Sequence, residues 1–186
     1  MPRGTYLHES EVEERFSCAL DGGGWRYTAE RSDGGSTELV ADGRWRPARL
    51  QVTAGGQVLR GGTAGAELLW VTGGRERSAR AAGFLSDSPG LLVAVARSLG
   101  LAERERVDVR LLELTAPALA VRTVPQRWAL TETTWHDADE ARLPVERYEV
   151  TDLETGEVSE FHLAGDVVVA APGIELTALE DPPNFP

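Results

Sequence analysis

The feature that most constrains this fold is a short, almost wholly apolar segment in the middle of the chain, residues 88–101, which reads SPGLLVAVARSLGL. Ser88 is suited to cap a helix, Pro89 to occupy its first turn and Gly100 to end it. Between them only one arginine and one serine are polar. A helix that is apolar all round is buried or lies in a membrane, and a membrane span needs about 20 apolar residues. We therefore predict a buried helix over residues 88–100.

The sequences on either side of this segment are typical of short β-strands. Trp25, Tyr27 and Ala29 alternate with polar residues, which is the pattern of a half-buried strand. Similar segments, often bounded by glycine-containing turns, precede and follow the helix. They cover residues 38–40, 44–53, 57–60, 67–72, 107–114, 127–135, 147–150, 158–163 and 167–170. We therefore predict a mainly β fold, in which a curved antiparallel sheet or half-barrel wraps the single buried helix.

The length of the chain, 186 residues, is sufficient for one domain with a sizeable core, and no internal repeat or linker divides it. We predict a single domain over residues 1–186. Residues 1–15 are rich in charge and residues 180–186 are rich in proline. We predict that both segments are peripheral or disordered arms.

The charge of the chain argues against several classes of partner. Nineteen basic residues and thirty acidic residues give a net charge of −11, which opposes binding to phosphate backbones and to anionic membrane surfaces. We therefore expect no nucleic-acid binding. All nineteen basic residues are arginine, so chemistry that needs a lysine, such as that of the P-loop or of a Schiff base, is excluded.

Cysteine content and the first residues bear on the cellular compartment. Cys18 is the only cysteine, so the chain has neither an intrachain disulfide nor a cysteine-rich zinc site. Residues 1–16 contain four glutamates and lack the apolar core of a signal peptide. We expect a cytoplasmic protein with no membrane span, and the oligomeric state stays open.

The three histidines could contribute chemistry only if the fold brings other groups to them. His8, His136 and His162 lie far apart, without the spacing of a helical metal pair. The carboxylates of residues 137–140 could hold a cation beside His136, but we favour a solvated hairpin loop. His162 alternates with apolar neighbours, so it either lines a cavity, where it could bind a ligand or transfer protons, or faces water. We predict no catalytic residue, no metal and no cofactor.

The aromatic residues are more informative, because the five tryptophans fall on four or five different predicted strands. A tryptophan that lines a cavity offers broad contact with an acyl chain or a sugar ring, and an N–H group that can orient it. Packing within the core is the ordinary alternative. Our candidate ligand-binding residues are Trp45, Trp70, Trp128 and Tyr148, with Arg127 and His162 as polar contacts.

Several short motifs occur in a distinctive order. DGRWR at residues 42–46 is followed by the helix, by QRW at 126–128, and by GDVVV at 165–169 with PGI at 172–174. This order resembles a bacterial family described as glycolipid-binding, which is similar in fold to the lipoprotein carriers of the Lol system. The resemblance spans residues 25–176. It implies a curved half-barrel that wraps a helical segment, and a glycolipid-like ligand.

Together these observations favour a non-catalytic protein that binds a hydrophobic or amphipathic small molecule between the helix and the concave face of the sheet. One alternative is a protein-interaction domain whose core the helix fills, with an exposed sheet edge or an acidic face that binds a protein partner. A third hypothesis is a hydrolase or isomerase that uses His162 or His136 with nearby carboxylates. A cavity of roughly a few hundred Å³ beside the helix would favour the first hypothesis over the second.

Overall fold

A computed structural model describes residues 1–137 and 142–185 of the chain. These residues form one helix, α1 (Pro89–Leu99), and fifteen strands. The strands are β1 (Arg3–His8), β2 (Glu13–Asp21), β3 (Gly24–Arg31), β4 (Ser36–Ala41), β5 (Pro47–Ala54), β6 (Gln57–Ala64), β7 (Glu67–Thr72), β8 (Arg75–Ala79), β9 (Phe84–Leu85), β10 (Arg106–Thr115), β11 (Ala120–Asp137), β12 (Arg142–Asp152), β13 (Val158–Ala164), β14 (Val167–Ala171) and β15 (Ile174–Leu179).

All fifteen strands belong to one sheet, in the order β8-β7-β6-β5-β4-β3-β2-β1-β15-β14-β13-β12-β11-β10-β9. The pairing of β9 with β10 is parallel, and the other pairings in the described residues are antiparallel. The sheet is curved but open, with β8 at one edge and β9 at the other. The prediction of a curved antiparallel sheet around one buried helix is confirmed.

The alternation seen in the sequence explains which face of each strand is buried. In β3 the side chains of Trp25, Tyr27 and Ala29 are buried while their neighbours are more exposed. The same two-residue period recurs in β4. Because successive side chains of a strand point to opposite faces, this pattern places one row of β3 and one row of β4 in the core.

The helix α1 begins and ends where its sequence predicts. Ser88 has extended backbone angles at the N-cap, and Gly100 adopts the left-handed conformation with φ 56°. The amide of Gly100 donates to the carbonyl of Ala96, which ends the helix. Val93 and Val95 are among its buried side chains. The helix is therefore a core element.

A glycine is required where α1 meets the sheet. A Cβ atom on Gly90 would lie 2.3 Å from a ring carbon of Tyr27, well inside van der Waals contact. The first turn of the helix therefore rests directly on the Tyr27 ring of β3. Glycine has a low helix propensity, but at this position its lack of a side chain allows the helix to approach the sheet closely.

The first residues of the chain differ from the sequence-based expectation of an arm. β1 lies in the middle of the sheet, where it pairs with β2 on one side and with β15 on the other. Its buried row consists of Gly4, Tyr6 and His8. Glycine and histidine are not counted as apolar residues. The alternation of buried and exposed side chains in β1 is therefore not recognisable from its sequence, although the structure shows it.

The last described residues form a tail that hydrogen bonds hold against the core. Pro183 is buried, and Asn184 donates from its backbone amide (2.7 Å) and from Nδ2 (2.8 Å) to the carboxylate of Asp166. The same carboxylate accepts a bond of 2.9 Å from Nε1 of Trp25. Asp166 is 1% exposed, so these three donors compensate for the burial of its charge.

We expect Asp166→Ala to release this tail. The variant removes the acceptor for three donors, which should lower the free energy of unfolding by about 1–3 kcal/mol. The exchange of the Asn184 amide hydrogen, followed by NMR, should become faster. Asp181→Ala is the control, because the Asp181 side chain is 54% exposed. Equal Asn184 exchange in wild type and in Asp166→Ala would show that the contact does not hold the tail.

Candidate functional site

An open cleft of about 550 Å³ lies between α1 and one half of the sheet. In sheet order, this half consists of β1, β15, β14, β13, β12, β11, β10 and β9. Leu92 contributes the helix side, and β9 and the turn after it contribute Leu85, Ser86 and Asp87. The sheet side comes from β1, from β10 to β14, and from the turn into β15. Its lining residues there are His8, Glu9, Ser10, Glu113, Gln126, Trp128, Val150, Ser159, Phe161, Ala171, Pro172, Gly173 and Ile174.

The floor of this cleft is aromatic. Trp128 of β11 pairs in register with Val150 of β12, which in turn pairs with Ser159 of β13. The rings of Trp128 and Phe161 meet edge to face, with centroids 5.4 Å apart. Phe161 stacks on Tyr148 at 5.0 Å. Such pairs add stability beyond the area they bury, so the floor is a rigid apolar surface.

Polar groups are placed around this apolar floor. Gln126 accepts a bond of 2.9 Å from Nε1 of Trp128, which fixes the indole ring. Ser10 and Ser159 contribute hydroxyl groups, and Glu113 contributes a carboxylate. A mainly apolar cavity with a few oriented polar groups is the usual form of a small-molecule site.

A buried hydrogen-bond network adjoins the cleft at His8. The carboxylate of Glu14 is 0% exposed and accepts three bonds. Tyr27 and Ser88 each donate a hydroxyl to Oε1 at 2.7 Å, and Nε2 of His8 donates to Oε2 at 3.0 Å. The network therefore joins β1, β2 and β3 to the N-terminus of the helix.

Hydrogen-bond donors and the N-terminus of the helix surround Glu14 in this network. Burial, and then the charge of Glu14, raise the pKa of Tyr27 well above its ordinary value, so its hydroxyl stays protonated and donates. Ser88 is the N-cap residue of α1, so the carboxylate also lies at the positive end of the helix dipole. The hydroxyl of Ser88 donates to Glu14 and makes no capping hydrogen bond to the backbone of α1.

The structure separates the tryptophans and the tyrosine that the sequence selected. Trp128 lines the cleft, whereas Tyr148 is not a lining residue and stacks on Phe161, which is. Trp45 has φ 61° in the turn before β5 and packs at 5.1 Å on Trp25, outside the cleft. Trp70 is buried in β7, where its Nε1 has no hydrogen-bond partner among the described residues. Trp45 and Trp70 therefore lie apart from Trp128.

The predicted polar contacts also lie outside the cleft. Arg127 forms a two-bond ion pair with Asp108, at 2.7 and 2.9 Å, on the exposed side of β10 and β11. The side-chain bond to Asp108, and then its charge, raise the pKa of Arg127. His162 lies on β13 opposite Arg147 of β12. Neither residue lines the cleft.

The structure describes only part of the acidic cluster that follows His136. His136 and Asp137 are exposed at the end of β11. Residues 138–141, which carry two of the candidate carboxylates, lie outside the described residues. Within residues 1–137 and 142–185, no three His, Cys, Asp or Glu side chains are grouped as a metal site.

Two further observations concern function classes. Burial, with Asp166 nearby, raises the pKa of Cys18, so its thiol is a packing group rather than a nucleophile. The helix found in the described part of the chain is too short to cross a membrane.

Sequence reasoning missed His8 and Glu14 as members of the site. Glu14 stands among other glutamates, and both residues lie within residues 1–15, which were expected to be peripheral. The alternation of Tyr6 and His8 was a weak signal, because both fall on the buried row of β1. Ser88 was selected as a helix cap, and its bond to Glu14 spans 74 positions of the chain.

Comparison with known proteins bears on the fold. No protein-family model matches the chain, and no curated protein matches its sequence. The solved structure of a DUF1089 family protein from Pseudomonas aeruginosa is similar, with a TM-score of 0.58 and 19% identity. The match covers 86% of this chain and 89% of that one. The likeness is one of fold. It supports the architecture described above and leaves the ligand to be argued from the cleft.

Proposed function

We propose that this protein binds a long-chain amphipathic molecule, a lipid or glycolipid-like compound, in the cleft beneath α1, without chemical change to it. The observation that carries the proposal is the cleft itself. Its volume of about 550 Å³ falls within the range of roughly 300–1,000 Å³ that is common for small-molecule sites. A core completely filled by the helix, as the interaction-domain alternative requires, would leave no such space.

The distribution of side chains supports an amphipathic ligand. Leu92, Ala171 and Ile174 are partly exposed apolar lining residues that an alkyl chain would cover, releasing water from them. The closely packed Trp128, Phe161 and Val150 lie at the floor beside them. His8 and Ser10 lie at the end of β1 and in the turn after it, where a polar head group would lie. The motif resemblance to a glycolipid-binding family points to the same class of ligand.

The first test asks whether the protein carries or takes up such a molecule. Protein purified without detergent should show co-purified ligand in native mass spectrometry, and the ligand should appear in a denaturing lipid extract. After delipidation, isothermal titration with dodecyl maltoside below its critical micelle concentration should give saturable binding. The absence of both signals would contradict the proposal.

A second test fills the cleft. Ala171, half-buried at the end of β14, lines the cleft, and Ala171→Trp would place an indole ring in the space that the ligand needs. We expect dodecyl maltoside to bind at least about tenfold more weakly to this variant, a loss of about 1.4 kcal/mol. Ala120→Trp is the matched control, because Ala120 is exposed on β11. Unchanged binding by Ala171→Trp would place the ligand elsewhere.

A further inference from the structure

The sheet ends on one side in an edge strand that no described element covers. Among residues 1–137 and 142–185, β8 pairs only with β7, and its first four side chains are exposed. The strand at the other end, β9, has two residues, and both are buried. Of the two terminal strands of the sheet, β8 is therefore the one that presents a free edge.

The turn between β7 and β8 decides which backbone groups face this edge. It consists of two glycines, both with positive φ. The pair that flanks such a turn, Thr72 and Arg75, is hydrogen-bonded, and bonded pairs then alternate with non-bonded pairs along the two strands. Arg75 and Arg77 therefore direct their backbone groups toward β7. The N–H and C=O groups of Glu76 and Ser78 point to the free edge, where they can bond to an added strand.

The same register places the side chains of β8. Cross-strand partners point to the same face of a sheet, and Arg77 is the partner of Trp70, which is buried in the core. Arg75, Arg77 and Ala79 therefore form one row that continues the core face of β7 to the edge. Ala79 is half-buried opposite Leu68. An added strand would set one row of its own side chains directly beside this row.

This edge is basic, although the protein is acidic. Residues 75–80 contain three arginines and one glutamate, so three positive charges less one negative charge give +2, whereas the whole chain carries −11. In the part of the chain that the structure describes, none of these three arginines forms an ion pair. Charged side chains on an edge oppose pairing with an apolar or basic strand, whereas carboxylates opposite the arginines favour it.

A second copy of this chain fits the edge less well than an acidic segment does. Two copies of net charge −11 repel each other. Antiparallel pairing of two complete β8 strands is centred on Arg77, so it would bring the two Arg77 side chains opposite each other. The outward N–H and C=O groups match another polypeptide backbone. Charge and backbone geometry therefore favour an extended strand that is rich in carboxylates.

We infer that β8 binds an extended acidic segment of a partner protein as an added antiparallel strand. Read from its N-terminus, this segment carries a small apolar residue opposite Ala79 and carboxylates opposite Arg77 and Arg75, with one residue between each. Backbone hydrogen bonds supply affinity in this mode of recognition, and alternate side chains supply specificity. The inference is independent of the proposed function, because the cleft lies in the half of the sheet that ends at β9.

Model peptides test the role of charge. The probe is the blocked peptide TVTETET with an N-terminal fluorescein, whose glutamates are spaced to face Arg77 and Arg75. The comparison peptide is TVTKTKT, in which both charges are reversed. By fluorescence anisotropy at low salt, we expect saturable binding of TVTETET and at least about tenfold weaker binding of TVTKTKT. Equal binding of the two peptides, or no binding of TVTETET, would overturn the inference.

Methylation of the peptide backbone separates strand addition from simple attraction between charges. In the proposed register the third residue of TVTETET lies opposite Ser78 and points its N–H to β8, whereas the fourth lies opposite Arg77 and points its N–H away. A methyl group on the third amide should weaken binding at least about tenfold, and one on the fourth about twofold or less. Equal effects of the two methyl groups would exclude strand addition in this register.

A charge reversal in the protein locates the binding edge. We expect Arg77→Glu to bind TVTETET at least about tenfold more weakly than wild type does. Arg110→Glu is the matched control, because Arg110 is also an exposed strand arginine, lies on β10 and changes the net charge equally when replaced. Equal loss in the two variants would mean that net charge controls binding, and no loss in Arg77→Glu would place the peptide elsewhere.

Sedimentation velocity tests the second copy as occupant. Ser78→Pro removes an outward N–H group of the edge without removing a hydrogen bond to β7, and proline is tolerated at such positions of an edge strand. We expect wild type and Ser78→Pro to sediment alike, and the variant to bind TVTETET at least about tenfold more weakly. A wild-type dimer that Ser78→Pro abolishes would assign the edge to a second copy and overturn the inference.

Discussion

Val93→Asp is expected to prevent this protein from folding stably. Val93 is 1% exposed in α1, and a carboxylate there would be buried without a partner. Such burial costs several kcal/mol, and we expect a loss of about 4 kcal/mol or more in the free energy of unfolding. Because a typical domain is stable by only about 5–15 kcal/mol, most of its stability would disappear. Urea denaturation followed by circular dichroism measures the change.

The control for Val93→Asp is the same chemical change at an exposed valine. Val158 of β13 is 54% exposed, so Val158→Asp should alter stability by about 0.5 kcal/mol or less. If Val93→Asp unfolded at the same urea concentration as Val158→Asp, the helix could not be a buried core element. The comparison removes the general effect of adding one more negative charge to a chain of net charge −11.

Glu14→Ala is expected to have the second large effect. The change leaves the Tyr27 and Ser88 hydroxyls and Nε2 of His8 without their shared acceptor inside the core. Breaking a buried charged network by removing one member costs about 3–5 kcal/mol. Thermal and urea unfolding should both show the loss. The site should suffer too, because His8 would no longer be held at the cleft.

A neighbouring glutamate provides the control for this prediction. Glu13 is exposed on the same strand, and Glu13→Ala should change stability by about 0.5 kcal/mol or less. Glu14→Gln should fall between the two, because its amide oxygen can still accept from Tyr27 and Ser88. Equal stability of Glu14→Ala and Glu13→Ala would mean that the network does not contribute to the fold.

Local pattern was enough to predict the class of fold. The alternation around Trp25 and Tyr27 predicted strands, glycine-containing turns predicted their antiparallel connections, and the apolar segment predicted a buried helix. These signals are local, since the period of two in a strand and the caps of a helix involve residues close together in the chain. The same reasoning failed for β1, because Gly4 and His8 carry little apolar signal.

The sequence predicted less of the candidate site than of the fold. Trp128 lines the cleft, but Trp45 and Trp70 belong to the half of the sheet that lies beyond β1. The choice among tryptophans depends on the order of the strands, which places β1 beside β15 and so joins the two ends of the chain. No local pattern reports such a pairing, because its partners are separated by almost the whole sequence.

By itself, the amino-acid sequence determined the strand-rich class of this protein, its buried helix and the absence of lysine chemistry. Only the tertiary structure decided where a ligand could lie and what would face it. His8, Glu14 and Ser88 are ordinary residues in the sequence, and they form a network because β1, β2 and the helix N-terminus meet in the core. The physical reason is that a buried charge must find its donors in space, whatever their separation along the chain.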